Sequence, residues 1–221
     1  MNEVLKTMEE RWDTYAERYD VTHHGRTTAE EHAQWSHLLE MHIGKERSLS
    51  VLDVGAGTGF LTLKIAALGY DCHGLDLSNG MMDIGRRQAV ERGLNVEFLH
   101  GNTMSLPVPD GSMDVITNRS LLWTLLDSRK AFEEWLRVLK PGGKVLCFCT
   151  IGKKGMSGNH YSQEIEDMLE LKGASVSKLC GCLEDAGFVE VEAVILEGIK
   201  PPHGGDNLSY VIKGKKKRVG N

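Results

Sequence analysis

The chain has 221 residues, 41% of them hydrophobic, which suits one globular domain with a sizeable core. Its 26 basic and 31 acidic residues leave a net charge of −5, so the overall field does not favour a phosphate-rich partner and nucleic acid is a minority reading. No apolar run approaches the roughly 18 residues of a membrane span, and the acidic start Met-Asn-Glu-Val-Leu-Lys lacks a signal-peptide pattern, so a cytoplasmic protein with no membrane association is expected.

The first 45 residues read as two helices. Leu5, Met8, Trp12, Tyr15 and Tyr19 recur at three- and four-residue spacing and predict a helix near 4–19. Thr27 and Thr28 offer N-capping hydroxyls to a second helix, which brings His32, Trp35, Leu38, Leu39 and His42 near one another. Asp20 to Gly25, between them, is expected to be a loop. Next comes Val51-Leu-Asp-Val-Gly-Ala-Gly-Thr-Gly-Phe60, an apolar strand carrying Asp53 that runs into three alternating glycines and then a helix. Gly55, Gly57 and Gly59 lack Cβ, so they can take positive φ and let the backbone approach a ligand closely. A dinucleotide fingerprint would read Gly-x-Gly-x-x-Gly; here the third glycine comes one residue early. Asp53 would put negative charge beside a phosphate, but it suits a sulfonium or ammonium.

From Leu49 onward apolar runs alternate with helical patterns, which indicates βαβ units and a mainly parallel sheet covered on both sides. Strands are expected at 72–76, 96–99 and 113–118. Ser78 can cap a helix through about Arg92 that Gly93 terminates, and Asp127 or Ser128 can cap another that Pro141-Gly142-Gly143 ends. Helices near 162–171 and 176–186 precede apolar runs at 188–199 and 208–215. The five cysteines do not resemble a secreted disulfide framework. Cys147 and Cys149 share a strand face, and Cys180 and Cys182 bracket Gly181 near a helix. Four thiolates could hold zinc, but structural zinc usually uses Cys-x-x-Cys spacing, so ordinary packing is the expectation and no metal is assigned. The cluster Lys215-Lys-Lys-Arg218 reads as a solvated tail rather than a nucleic-acid site.

The glycine turn resembles the first motif of the class I S-adenosylmethionine-dependent methyltransferases of small-molecule type, and the resemblance continues in register. Asp76 ends an apolar run about 20 residues on; Gly101-Asn102-Thr103, the strand 113–118 and the segment 131–143 ending Leu-Lys-Pro-Gly-Gly match in order. The resemblance implies a three-layer αβα Rossmann-like methyltransferase fold, with a seven-stranded, mainly parallel sheet whose last strand is antiparallel. It also implies S-adenosyl-L-methionine as cofactor, a small-molecule substrate, residues 1–45 as a helical lid and 46–221 as the cofactor-binding domain.

Ligands of open parallel sheets bind beyond the carboxyl ends of the strands, which gathers the candidates. By resemblance, Asp53 and the turn Gly55, Ala56, Gly57, Thr58 and Gly59 take the methionine portion, Asp76 the ribose hydroxyls, Leu77 and Met81 the adenine faces, and Asn102 the adenine edge, with Thr103 beside it in the cofactor set. Asn102 stands where many members have aspartate; an amide both donates and accepts, so adenine binding survives. Tyr19, Asn118 and Arg119 complete the cofactor set. Tyr15, Trp35 and Trp123 are the substrate candidates, each explained as well by core packing. The segment 118–126 lacks an Asn/Asp-Pro-Pro-aromatic tetrad, which weakens a nucleic-acid N-methylation reading. His23, His24 and His160 are general-base candidates because histidine titrates near neutrality. The main expectation is in-line methyl transfer to a small molecule; a methyltransferase acting on tRNA or protein and a non-catalytic cofactor-binding module are the alternatives.

Overall fold

Strand β1, Ser50–Val54, is buried on both sides, with Val51, Leu52 and Val54 fully covered, as a central parallel strand requires. In the computed structural model, which describes residues 2–25, 27–151, 160–199 and 208–218, the chain forms two compact units, 1–102 and 103–221. The first contains α1 (Asn2–Tyr19), α2 (Ala29–Ile43), β1, α3 (Phe60–Ala67), β2 (Asp71–Asp76), α4 (Asn79–Glu91) and β3 (Glu97–His100). Its strands run parallel in the order β3-β2-β1, with Asp53 opposite Gly74 and Leu75 opposite Leu99. Thr28 caps α2 through a complete capping box with Glu31, and Ser78 caps α4 by accepting from the Met81 N–H, both as the sequence predicts.

The segment Asp20 to Gly25 is not a loop. Asp20–His24 continue α1 as a π-helical turn, closed by the Gly25 N–H donating to the Asp20 carbonyl at 2.9 Å. The widened turn lets the His23 ring stack on Tyr19 at 4.3 Å. Turn propensity alone, read from Asp20 and Gly25, misses a helix carried on by side-chain contacts.

Helix α1 docks on α4. Ala16 packs with Met81 and Ile84, flanked by Trp12 and Tyr19. Polar contacts ring this patch: Arg87 donates to Glu17 at 2.7 Å, and the Gln88 amide donates to Asp20. Asp13 Oδ1 accepts from the Ser78 hydroxyl at 2.6 Å and from the Gly80 N–H at 2.7 Å, so a side chain from α1 satisfies an orphan donor at the start of α4. The approach is so close that a Cβ on Gly80 would lie 2.9 Å from the Asp13 Cα; glycine is there for space.

The second unit contains β4 (Met113–Arg119), α5 (Ser128–Val138), β5 (Leu139–Ile151), α6 (Gln163–Met168), α7 (Val176–Ala186), β6 (Val189–Ile195) and β7 (Leu208–Lys215). The order is β4-β5-β7-β6, with β4 and β5 parallel and β7 antiparallel to both neighbours. The described residues thus form seven strands, mainly parallel, with the last one antiparallel, as expected. Helix α5 stops at Val138, before the expected Pro141, because the residue preceding a proline is driven out of the helical region. The β4–β5 register jumps from Met113↔Leu139 to Val115↔Lys144, so Lys140 to Gly143 bulge outward. Helix α6 is shorter than expected, ending at Met168; successive turns closed by Lys172 and Ala174 replace its last residues and bury Leu169 and Leu171.

Replacing Asp13 by alanine removes two hydrogen bonds, one of them a helix cap, and is expected to cost about 1–2 kcal/mol. Thermal unfolding followed by circular dichroism should read this as a melting temperature lower by roughly 2–8 °C.

Candidate active site

The glycine turn takes the conformation its sequence implies. Gly55, Gly57 and Gly59 have φ of 71°, 56° and 87°, a region that side-chain-bearing residues reach only at a cost. The Gly55 and Ala56 N–H groups both donate to the Leu75 carbonyl, at 2.8 and 2.9 Å, which ties the turn to the end of β2. Gly57 is held differently, because its N–H donates to Asp76 Oδ2 at 2.7 Å. A Cβ on Gly57 would meet nothing within 4 Å, so this part of the turn faces open space. Beneath it, Asp53 is buried and accepts from the Thr62 hydroxyl at 2.6 Å.

Asp76 is central to this end of the unit. Besides Gly57, its carboxylate accepts from the Ser78 N–H at 2.9 Å, and the Asp76 carbonyl accepts from the Gly101 N–H at 2.9 Å. Desolvation raises the Asp76 carboxyl above its ordinary pKa against the opposing N–H groups of Ser78, Gly57 and Leu77, and the Asp13 carboxylate adds to the rise. Leu77 and Asn102 are half-buried nearby in the sequence order of the sheet ends, while Met81 lies buried in the α1–α4 seam. The Leu77 carbonyl lies 2.8 Å from His100 Nε2, which also lies 3.0 Å from Glu9 of α1.

The N-terminal candidates gather at the same turn. His24 Nδ1 lies 2.6 Å from the Thr58 hydroxyl and 3.2 Å from Asp20 Oδ1. Burial raises the Asp20 carboxyl, but hydrogen bonds from His24, Thr58 and Gln88 outweigh it and hold the group below its ordinary value. His23 Nδ1 contacts the Thr22 hydroxyl and the Tyr19 carbonyl. The Tyr15 ring is covered by the Arg11 guanidinium at 4.7 Å. Trp35 is buried edge-on against Phe60, with centroids 5.5 Å apart. Asp13, Asp20 and His100 escaped the sequence reading; their partners lie too far away in the chain to leave a local signal, except the Asp20–His24 spacing.

In the second unit, Asn118 ends β4 fully buried. Its amide nitrogen donates to Cys147 Sγ at 3.2 Å, and its Oδ1 has no hydrogen-bond partner among the described residues. Arg119 is half-buried, and Ser120 after it has φ of 57°, a strained value at the exit of the strand. Trp123, in a 3₁₀ turn, is buried with its ring 4.8 Å from that of His160. The Thr103 hydroxyl accepts from the Trp135 indole at 2.9 Å. Burial pushes the Cys147 thiol up to about 12, against the Asn118 hydrogen bond, and raises Cys149, Cys180 and Cys182 as well. Among the described residues no three histidine, cysteine or acidic side chains group as metal ligands.

A methyltransferase-domain family model matches residues 52–147, from the glycine turn through β5. Over 188 residues the chain is 31% identical to a demethylmenaquinone methyltransferase of Geobacillus sp. (strain WCH70), covering 73% of this chain and 80% of that protein. It belongs to the class I S-adenosylmethionine-dependent methyltransferases. A second demethylmenaquinone methyltransferase, from Listeria welshimeri, is 32% identical over 194 residues, with 76% and 81% covered. Among solved structures, the [4+2]-cyclase SpnF superposes with a TM-score of 0.75 at 22% identity over 96% of each chain. Haemonchus contortus phosphoethanolamine N-methyltransferase 2 in complex with S-adenosyl-L-methionine gives 0.69 at 15% identity, covering 93% of this chain and 57% of that one. These structures share the Rossmann-like methyltransferase fold. This methyltransferase is therefore an enzyme with S-adenosylmethionine as its cofactor, and no helix among its described residues is long and apolar enough to cross a membrane.

Two substitutions test the turn. Asp76→Ala strips the acceptors from the Gly57 and Ser78 N–H groups and is expected to cost about 1–3 kcal/mol, with faster amide exchange at Gly57. Gly57→Val meets no neighbour, so only backbone strain of about 1–2 kcal/mol is expected; chemical denaturation of both variants measures these losses.

Proposed function

We propose that this methyltransferase acts on a small-molecule acceptor, with an electron-rich carbon of an aromatic hydroquinone as the acceptor class, and that its N-terminal segment is the lid. The observation that carries the small-molecule reading is the seat of α1 and the π-turn on α4 and the glycine turn, fixed by Asp13, Asp20 and the 2.6 Å His24–Thr58 contact. A nucleic-acid or protein substrate would need that side open. Basic residues of β7 also argue against a nucleic-acid surface, since Lys213 pairs with Glu192 and Lys215 with Glu190. The hydroquinone class draws its support from the names of the Geobacillus and Listeria relatives.

The cofactor supplies a methyl group activated on a sulfonium. The residues present fit it. The Asp76 carboxylate offers about four acceptor positions and accepts three N–H groups, from Gly57, Ser78 and Leu77, which leaves one position for a ribose hydroxyl. The open space over Gly57 admits the methionine portion beside Asp53, Gly55, Ala56, Thr58 and Gly59. Leu77, Met81 and Asn102 would serve the adenine, with Tyr19 at the methionine end.

Trp123 would flank the acceptor. A phenolic hydroxyl, with a pKa of about 10, needs a base near neutrality, and His160, packed against Trp123, is the candidate carried forward over His23 and His24. His160 would take the phenolic proton and so make the ring carbon nucleophilic toward the methyl group that a bound sulfonium would supply, with the neutral thioether as the leaving group. Loss of the ring C–H proton to solvent restores aromaticity. Alignment of the carbon opposite the departing sulfur can supply several kcal/mol, about 7–11 at the limit.

Methyl-labelled cofactor incubated separately with a reduced demethylated naphthoquinol, a deproteinised metabolite extract and bulk tRNA should label the naphthoquinol, read by mass spectrometry. Label in the extract alone would overturn the hydroquinone class, and label in the tRNA alone would overturn the small-molecule reading. Asp76→Ala should weaken cofactor binding about tenfold or more in calorimetric titration, one decade per roughly 1.4 kcal/mol.

Deleting residues 1–27 should abolish turnover while leaving a folded protein that binds cofactor more weakly. Deletion through residue 45 also removes Leu39 and Ile43, which are 0% and 1% exposed, and should cost stability in addition. An unfolded shorter deletion by circular dichroism would make the segment structural instead of a lid.

A further inference from the structure

Glu166 on α6 is the most deeply buried acidic side chain of the second unit that nothing above uses. Its side chain is 1% exposed, where an unpaired carboxylate would be costly. Three donors meet it. The His160 N–H donates to Oε1 at 2.6 Å and the Tyr161 N–H to the same oxygen at 2.9 Å, while Lys172 pairs with Oε2. Burial pushes the Glu166 carboxyl up, but the Lys172 ammonium and the two N–H groups outweigh it and hold it below the ordinary carboxylate value. The carboxylate therefore stays charged at neutral pH and keeps its grip.

What it grips gives it a purpose. His160 and Tyr161 are the two residues whose rings flank Trp123, with centroids at 4.8 and 6.5 Å. A cap for a helix of six residues needs no burial, since an exposed side chain serves the end of a helix well. A buried, ion-paired carboxylate that bonds two consecutive N–H groups fixes the backbone in position and direction. Side chains at this pair of residues are then aimed from a rigid base, as a pocket wall requires.

We propose that Glu166 is a positioning residue: by accepting from the His160 and Tyr161 N–H groups it holds the His160 ring against Trp123 as one wall of the acceptor pocket. Lys172 neutralises the carboxylate and so makes its burial tolerable. The inference rests on the reading that Trp123 and His160 face the acceptor, but the ring contact itself is measurable with no acceptor present.

The test is NMR on the full-length protein, with the His160 ring signal assigned by its loss in His160→Asn. The wild type should show an upfield ring-current shift of that signal and a cross-peak to the Trp123 indole. Glu166→Ala should lose both, while cofactor affinity holds within about twofold. Glu166→Gln, which keeps a carbonyl acceptor and nearly the same volume, should retain the contact and decides the matter if the alanine variant does not fold. A folded Glu166→Ala that keeps the contact, or a folded Glu166→Gln that loses it, overturns the positioning role. With an acceptor in hand, Glu166→Ala should raise its KM about fivefold or more, and an unchanged KM alongside a lost ring contact overturns the pocket-wall assignment. Failure to methylate a naphthoquinol leaves the NMR result standing and counts only against the hydroquinone reading.

Discussion

The hydrogen bond from the Gly57 N–H to Asp76 Oδ2 joins the ends of two parallel strands across 19 residues of sequence, and the first unit's part of the candidate site is arranged around it. A glycine turn with three positive φ angles is costly to hold by itself, because an unfolded glycine samples many conformations. Asp76 holds it from β2 while accepting from Ser78, where α4 starts. One carboxylate thus sets the turn after β1 and the exit from β2, and its desolvation is the cost of that position.

Around this contact the first unit adds a second layer of polar ties. Asp13 completes the cap of α4, Glu17 and Asp20 reach its later turns, and His24 touches Thr58 of the glycine turn. The patch they enclose is small and apolar, built on Ala16, Met81 and Ile84. The exposed ion pair of Arg87 with Glu17 adds little to it individually. Helix α2 differs, since Leu39 and Ile43 are wholly buried.

Much of this was legible in the residues. Gly55, Gly57 and Gly59 announced the positive-φ turn, Asp76 the end of β2, and Ser78, Thr28 and Asp127 the caps they form. Such features are local, or follow an ordered motif, so the chain carries them in plain view. The π-turn at Asp20–His24 was not visible, because its i→i+5 bonding depends on rings and carboxylates that meet only after α1 has docked. The short end of α6 was hidden for the same reason: Lys172 folds back on Glu166 and diverts the chain. Nor did any spacing mark Asp13 or Glu166 as functional.

By itself, the sequence determined the alternation of strands and helices, the conformation of the glycine turn and the family, since periodicity, glycine and capping chemistry act within a few residues of their place in the chain. Only the tertiary structure decided what each polar side chain does. Asp76 turned out to hold Gly57, Thr103 to accept from Trp135, and Met81 to pack under Ala16. Buried polar groups must find partners wherever the fold brings them, and those partners lie tens of residues away, beyond the reach of any local pattern.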